Sequence, residues 1–183
     1  MEFLNNTEKV NVVFTFEKPL YNGDNLTEKE FLDYITKKIV TNANEAMAKE
    51  FVQNLEKAKY DDWPKEFAET INEWSSEYKN APTFVVDDTT ALYTMKVNTT
   101  WMYFGYDAEI IDRPSKATMD IEFYKTTNPD EIIERTSISR AMGTYNKTHG
   151  DGETWPKPNL NRMRKAYDRA GYKFAKAIKR IVD

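Results

Sequence analysis

The sequence predicts a single α+β domain, 1–183, with a mainly antiparallel sheet of four or five strands packed by N-terminal helices and one long C-terminal helix. Three observations support this prediction. Apolar residues recur at helical spacing in 27–78 and 160–181. They alternate as in strands in 10–16 and between 91 and 142. The length of 183 residues suits one hydrophobic core, and no internal repeat or linker divides the chain.

The composition excludes several classes of function. The chain has no Cys and one His, which excludes a disulfide, a thiolate nucleophile, a zinc finger and an iron–sulfur cluster. The formal net charge of -4 argues against specific nucleic-acid binding. Apolar stretches are far shorter than the roughly 18 residues of a membrane span, so no transmembrane segment is predicted. Because no phosphate-binding glycine loop, nucleophile elbow or dinucleotide fingerprint is present, we expect neither an enzyme nor a cofactor, and we assign no catalytic residues.

The first half of the chain predicts one strand and then helices. Alternation from Val10 to Phe16 predicts a half-buried strand. Thr27 and Glu30 form a capping-box pattern that begins a helix ending near Val40. A second helical pattern runs from about Asn44 to Lys57. The sequence Asp61-Asp62-Trp63-Pro64 then predicts a new helix, with one of the two aspartates as its N-cap.

The second half predicts an antiparallel meander. Period-two patterns run through Ala91–Phe104, Lys116–Tyr124 and Ile132–Met142. The first of these strands is long, and its pattern allows a bulge. One of its faces is predicted to carry Tyr93, Met95, Val97, Thr99, Trp101 and Tyr103.

The end of that first strand is unusually aromatic. Neighbouring residues on a strand point to opposite faces, so its rings cannot all enter one core. Either helices cover a second face of the sheet, or some rings are exposed as anchors for a partner. The candidate anchors are Trp101, Tyr103, Phe104 and Tyr106.

The predicted C-terminal helix begins at Asn159 and is strongly basic. Residues 157–183 hold nine basic and two acidic groups, a net +7, while 1–156 hold 17 basic and 28 acidic groups, a net -11. Such a helix can bind an anionic membrane or the acidic surface of a partner. Alternatively, its polar face offsets the acidic body and lies in water. The candidate contact residues are Arg162, Lys165, Arg169, Lys173 and Lys176.

Residues 143–158 are predicted to form a flexible loop that contains the only histidine. His149, Asp151 and Glu153 offer oxygen and nitrogen ligands for a cation. The acidic spacing differs from that of an EF-hand, and ordinary loop composition also explains these residues. We therefore assign no metal site.

Several runs of the sequence form a familiar series. They are Lys9–Phe14, Ala91–Val97 leading to Trp101 and Gly105, Arg113–Phe123 and Arg162–Lys176. In these runs the chain resembles a family of small exported or lipid-anchored proteins of Bacteroides and its relatives. The α/β domain of that family is similar to the domain of the curli-secretion lipoprotein and related envelope-assembly proteins. Two features depart from the family: Thr100 stands where a glycine is usual, and Met1 leads almost directly into the first strand without a signal peptide.

The resemblance implies a non-enzymatic assembly or interaction subunit of a bacterial envelope-associated complex, with protein partners and an oligomeric state. A first alternative is a virion structural protein, a connector or tail component of a phage of such bacteria. A second is a small-ligand-binding domain or enzyme, which would need a closed apolar pocket with converging carboxylates. The expected compartment depends on the native N-terminus. If a signal peptide was removed, we expect the envelope or periplasm; otherwise we expect the cytoplasm or a virion.

Overall fold

The protein contains a seven-stranded sheet that is organised around one long central strand. The computed structural model describes residues 1–108, 111–144 and 157–183, and within these ranges it does not describe the side chains of 106–108 and 111–112. The described strands are β1 Lys9–Thr15, β2 Leu20–Tyr21, β3 Leu26–Thr27, β4 Thr83–Val86, β5 Tyr93–Tyr103, β6 Tyr106–Ala108, β7 Ile111–Arg113, β8 Lys116–Lys125 and β9 Asn128–Met142. The described α-helices are α1 Glu28–Asn42, α2 Glu45–Lys57, α3 Trp63–Ser75 and α4 Leu160–Val182.

The sheet is mixed and has seven strands, which corrects the prediction of a mainly antiparallel sheet of four or five strands. The predicted meander is confirmed, because β5, β8 and β9 pair antiparallel in that order. On the other side of β5, however, β1 pairs parallel with its first half and β2 pairs parallel with Trp101 and Met102. The strand β4 pairs parallel with β1 at the sheet edge. Four-residue and two-residue strands such as β4 and β2 are too short to show an alternation of their own.

Helices α3 and α4 cover one face of this sheet. From β1, the Phe14 ring packs edge-on against Phe67 of α3, with centroids 5.3 Å apart. From β8, the Phe123 ring lies 6.1 Å from Phe174 of α4. All four side chains are buried within one connected apolar core. The prediction of an α+β fold with a long C-terminal helix is therefore confirmed.

Helices α2 and α3 are joined by a π-helical turn, Ala58–Asp62, so the chain does not break where a new N-terminus was predicted. Asp62 makes no side-chain cap hydrogen bond. Asp61 instead forms an ion pair with Lys65, and Asp62 lies 3.5 Å from the Lys57 ammonium. The prediction of an N-cap here is wrong because the aspartates serve as partners for lysines. The caps of the other helices match prediction: Thr27 and Glu30 form a capping box on α1, and Asn159 caps α4.

The opposite face of the sheet, which we call the open face, is half-exposed along most of its length. Its side chains alternate with those of the core, and they include Lys96, Asn98, Thr118, Asp120 and Glu122. The charges on this face are partly paired, since Lys96 lies 2.6 Å from Glu17 and Arg135 lies 2.9 Å from Glu122. This polar pattern is typical of an antiparallel sheet with one solvated side.

Candidate interaction surface

A β-bulge decides which face of the sheet receives the aromatic residues of β5. The pairing of β5 with β8 shifts between Thr99 and Trp101. One extra residue reverses the alternation beyond it. Thr99 therefore points into the core, whereas Trp101 and Tyr103 join the open face and Met102 is buried between them. The prediction that Trp101 and Tyr103 share the core face with Val97 is wrong for this reason.

Trp101 and Tyr103 form the centre of a cluster that we call the aromatic platform, completed by Lys116 and Arg140. The two rings are nearly parallel, at 5°, with centroids 6.1 Å apart. The Arg140 guanidinium lies 5.6 Å from the Trp101 ring, and the Lys116 ammonium lies 5.9 Å from the Tyr103 ring. The platform is thus a half-exposed row of two rings with a cation at each end.

The platform is held by the backbone around it. The Trp101 indole Nε1–H donates to the carbonyl of Asn22, 3.1 Å away. Arg140 has a φ of 44°, and its backbone N–H donates to Thr118 Oγ1 at 3.1 Å. It lies where two residues of β9 oppose one of β8, between the pairs Ala117–Ala141 and Met119–Ile138. A non-glycine residue in this conformation carries strain. The bulged residue is also the one whose guanidinium lies over the Trp101 ring.

The structure removes two predicted contact residues from the surface. Phe104 is 2% exposed, and its ring stacks on Phe31 with centroids 5.4 Å apart. Arg162 is 1% exposed; its Nη1 donates to the Arg113 carbonyl at 3.3 Å, and its own carbonyl accepts from Ser115 Oγ at 2.5 Å. Arg162 therefore links the start of α4 to the residues that immediately precede β8. Tyr106 lies in β6, paired with Arg113, and its side chain is outside the described residues.

The remaining predicted basic residues lie along the outer side of α4. Lys165 is half-buried, while Arg169, Lys173 and Lys176 are exposed. The Arg169 guanidinium lies 4.5 Å from the Tyr172 ring, and Lys173 Nζ donates to the Ser139 carbonyl at 3.3 Å. This basic surface and the aromatic platform are on different sides of the molecule, because α4 covers the face of the sheet opposite the open one.

A groove of about 820 Å³ lies between the end of β1, the start of α1 and the π-helical turn. At its base is Lys59, whose side chain is 3% exposed. The Lys59 ammonium lies 2.6 Å from Glu28 Oε1 and 3.3 Å from Glu56 Oε1. It also lies 5.0 Å from the Phe16 ring. Sequence reasoning missed this site, because a lysine in a polar helical segment gives no sign of burial.

The carboxylates of the groove converge on Lys59. Burial lowers the pKa of the Lys59 ammonium, but the hydrogen bond and the charge of Glu28, with help from Glu56, outweigh burial, and the net pKa is raised. Tyr21, which is fully buried, donates its hydroxyl to Glu28 at 3.0 Å. Burial first, and then the charge of Glu28, raises the pKa of the Tyr21 phenol. Glu28 therefore accepts two hydrogen bonds, one from the Tyr21 hydroxyl and one from the Lys59 ammonium.

The described residues contain no group of three or more acidic or histidine side chains placed to hold a metal ion. His149, Asp151 and Glu153, the cation candidates of the sequence, lie outside the described residues. No helix in the described ranges combines the length and the apolar character needed to span a bilayer.

Comparison with known proteins identifies neither a family nor a function. No family model matches the sequence, and no curated protein matches it. Among solved structures, the chain is similar to a neuraminyllactose-binding hemagglutinin homolog from Helicobacter pylori, at 11% sequence identity and a TM-score of 0.37. The match covers 98% of this chain and 84% of that chain. A similarity at this level carries no argument about ligand or partner.

Proposed function

We propose that this protein is a non-enzymatic interaction subunit of a larger protein assembly, and that the aromatic platform contacts its partner. The observation that supports this proposal is the half-exposed pair of stacked rings, Trp101 and Tyr103, fixed at the end of the open face. Tryptophan, tyrosine and arginine dominate the energetic centres of protein interfaces. Rings that are already held in place lose little conformational freedom on binding.

The chemistry of the platform indicates the chemistry of its partner. Two cations, Lys116 and Arg140, flank the rings, and each lies over a ring face. A partner surface that presents an apolar side chain to the rings and carboxylates to the cations is complementary to it. We therefore propose an acidic protein surface as the partner.

The wider setting is proposed from the sequence resemblance. It favours a bacterial envelope-associated complex, with a phage connector or tail component as the alternative. In the first case the protein works in the envelope or periplasm, and in the second in the cytoplasm or virion. In both settings the proposed role is the same: the protein binds a partner and does not catalyse a reaction.

The ligand-binding alternative rests on the groove at Lys59. The groove volume of about 820 Å³ falls within the roughly 300–1,000 Å³ typical of small-molecule sites. However, its carboxylates Glu28 and Glu56 converge on a lysine of the protein instead of on open space. A closed pocket with free converging carboxylates was the condition for this alternative, so the interaction subunit remains the proposal.

Site-specific photo-crosslinking tests the proposal. p-Benzoylphenylalanine is incorporated in place of Tyr103, and in a matched control in place of Tyr34, which is 57% exposed on α1. Illumination of the cells that produce the protein is expected to give one discrete adduct from position 103 and none from position 34. Adding Arg140→Glu to the position 103 protein is expected to reduce that adduct about tenfold, because it reverses the charge offered to an acidic partner. Equal background yields at positions 103 and 34 would overturn the proposal.

A further inference from the structure

Helices α3 and α4 run side by side in the same direction on the surface opposite the open face. The ion pair of Glu66 with Arg164 (2.5 Å) and the hydrogen bond of Thr70 with Asp168 (3.0 Å) share a sequence offset of 98 residues. A constant offset means that equivalent positions on the two helices lie at the same height. Side chains on their outer sides therefore form two parallel rows.

The row on α3 is acidic. It consists of Glu69, Glu73 and Glu77, the last of which lies just beyond the end of the helix. All three are exposed, and none has a lysine or arginine nitrogen within 4.0 Å among the described residues. We call these residues the acidic ridge.

The row on α4 is basic. It consists of Arg169, Lys173, Lys176 and Arg180, which are spaced by three or four residues and therefore share one side of the helix. All four are exposed, and within the described part of the chain none has a carboxylate oxygen within 4.0 Å. We call these residues the basic stripe. In contrast, several basic residues of the sheet and the groove form ion pairs, among them Lys9, Lys59 and Lys96.

Two aromatic rings lie between the ridge and the stripe. Trp74 is 47% exposed and meets Tyr172 edge-on, with centroids 4.6 Å apart. Arg169 lies 4.5 Å from the Tyr172 ring, and Lys176 lies 5.9 Å from the Trp74 ring. The surface thus has a fixed aromatic centre with opposite charges on its two sides.

We infer that a second copy of this chain binds this surface, about a two-fold axis that runs along α3 and α4. Rotation about such an axis exchanges the two rows, so the acidic ridge of each copy faces the basic stripe of the other, with Trp74 and Tyr172 at the centre. The same patch serves both copies, as a two-fold contact requires. An anionic membrane fits less well, because the ridge would face the same charged surface as the stripe. This dimer contact would be one contact within the proposed assembly. The inference rests on the proposed function in one respect, which is that the protein assembles.

A charge-swap experiment on the full chain tests this contact. One variant carries Glu69→Lys, Glu73→Lys and Glu77→Lys, so both rows are positive. A second variant carries Arg169→Glu, Lys176→Glu and Arg180→Glu, so both rows are negative. In sedimentation velocity, the native protein is expected to dimerise, and each variant alone to show a dimer Kd raised about 100-fold. An equimolar mixture of the two variants is expected to recover the native Kd, because both facing pairs of rows are again opposite in charge.

The mixture also separates loss of contact from loss of folding, since an unfolded variant cannot recover dimerisation. A control variant with Glu45→Lys and Lys49→Glu on α2, where both residues are exposed, is expected to dimerise as the native chain does. A native chain that stays monomeric, or variants that dimerise as the native chain does, would overturn the inference. Flotation of the native monomer with vesicles containing anionic phospholipid would also overturn it, in favour of a membrane. A monomeric native chain that still gives the position 103 adduct would leave the proposed function in place.

Discussion

The α-carbon of Gly171 in α4 faces the backbone carbonyl of Phe67 in α3 so closely that a Cβ at position 171 would lie 2.6 Å from that oxygen. The same Cβ would lie 2.9 Å from Thr70 Cβ. A backbone carbonyl within a helix cannot move aside without disturbing the helix. The glycine therefore sets the distance between α3 and α4, and through them the separation of the acidic ridge and the basic stripe.

We predict that Gly171→Ala destabilises the protein despite the better helix propensity of alanine. Because the clash is with a backbone atom, the overpacking cost is expected at the upper end of the usual range, about 2–3 kcal/mol, while alanine returns about 1 kcal/mol of helix propensity. A net loss of about 1–2 kcal/mol in the free energy of urea unfolding is expected. Gly23→Ala is the control, because a Cβ there meets nothing within 4 Å. A neutral or stabilising Gly171→Ala would show that the helices can separate freely.

We predict that Glu28→Gln costs more stability than Lys59→Met. The first change leaves a 3% exposed ammonium with only Glu56, at 3.3 Å, as a carboxylate partner, whereas the second leaves a carboxylate that is 34% exposed and bonded to Tyr21. Losses of about 3 and about 1 kcal/mol are expected, because a buried ammonium that has lost its nearer carboxylate costs more than a partly exposed carboxylate that keeps a hydrogen bond. Urea unfolding at pH 7 measures both. Lys29→Met, which removes an ion pair whose lysine is 86% exposed, is expected to leave the free energy of unfolding essentially unchanged. Equal losses from the two groove variants would contradict this account.

We predict a pH-dependent contribution from Asp88. Its hydrogen bond with the Lys9 ammonium at 2.5 Å, followed by hydrogen bonds from Thr90, lowers its pKa from 3.8 to about 2. Because the folded-state pKa is the lower one, the contribution is complete above pH 3.8 and disappears as the pH falls through about 2. The difference in Tm between the native chain and Asp88→Asn should therefore be constant above about pH 5 and should vanish near pH 2. Asp87→Asn is the matched control in the same turn. A difference that persists unchanged at pH 2 would exclude the Lys9–Asp88 contact as its source.

We predict that Trp101→Phe loosens the aromatic platform. Phenylalanine keeps a ring but removes the Nε1–H that donates to the Asn22 carbonyl at 3.1 Å. A loss of about 1 kcal/mol in unfolding free energy is expected, as for one intramolecular hydrogen bond. Trp74→Phe, at a 47% exposed tryptophan whose indole N–H has no acceptor among the described residues, should cost less than about 0.5 kcal/mol. Equal effects at the two positions would mean that the indole bond does not hold the platform.

The elements that the sequence predicts well are those with a strong local signal. The alternation in β8 and the three-four spacing in α4 reflect burial on one side of each element, and both are confirmed. The capping box of Thr27 and Glu30 is likewise a local exchange of hydrogen bonds. Each of these signals is complete within one segment, so no knowledge of the neighbouring segments is needed to interpret it.

The features that the sequence does not predict depend on pairing between distant segments. The bulge between Thr99 and Trp101 exists only relative to β8, and it alone decides that Trp101 lies outside the core. The close approach of Gly171 to Phe67 of α3 likewise depends on a segment that is distant in the chain. The sequence also does not predict that Lys59 and Arg162 are buried. The polar partners of these charged side chains come from other segments of the chain.

The edge strands of the sheet limit how copies of this protein can accumulate. Among the described strands, the edge strand β3 has two residues and the edge strand β4 has four, while the edge strand β9 departs from regular pairing at both ends, near Arg140 and near Ile132. Short or interrupted edges are poor templates for another strand. Copies at high concentration are therefore not expected to grow into fibres by adding strand to strand. The inferred two-fold contact through α3 and α4 closes on itself, so association through that surface ends at the dimer.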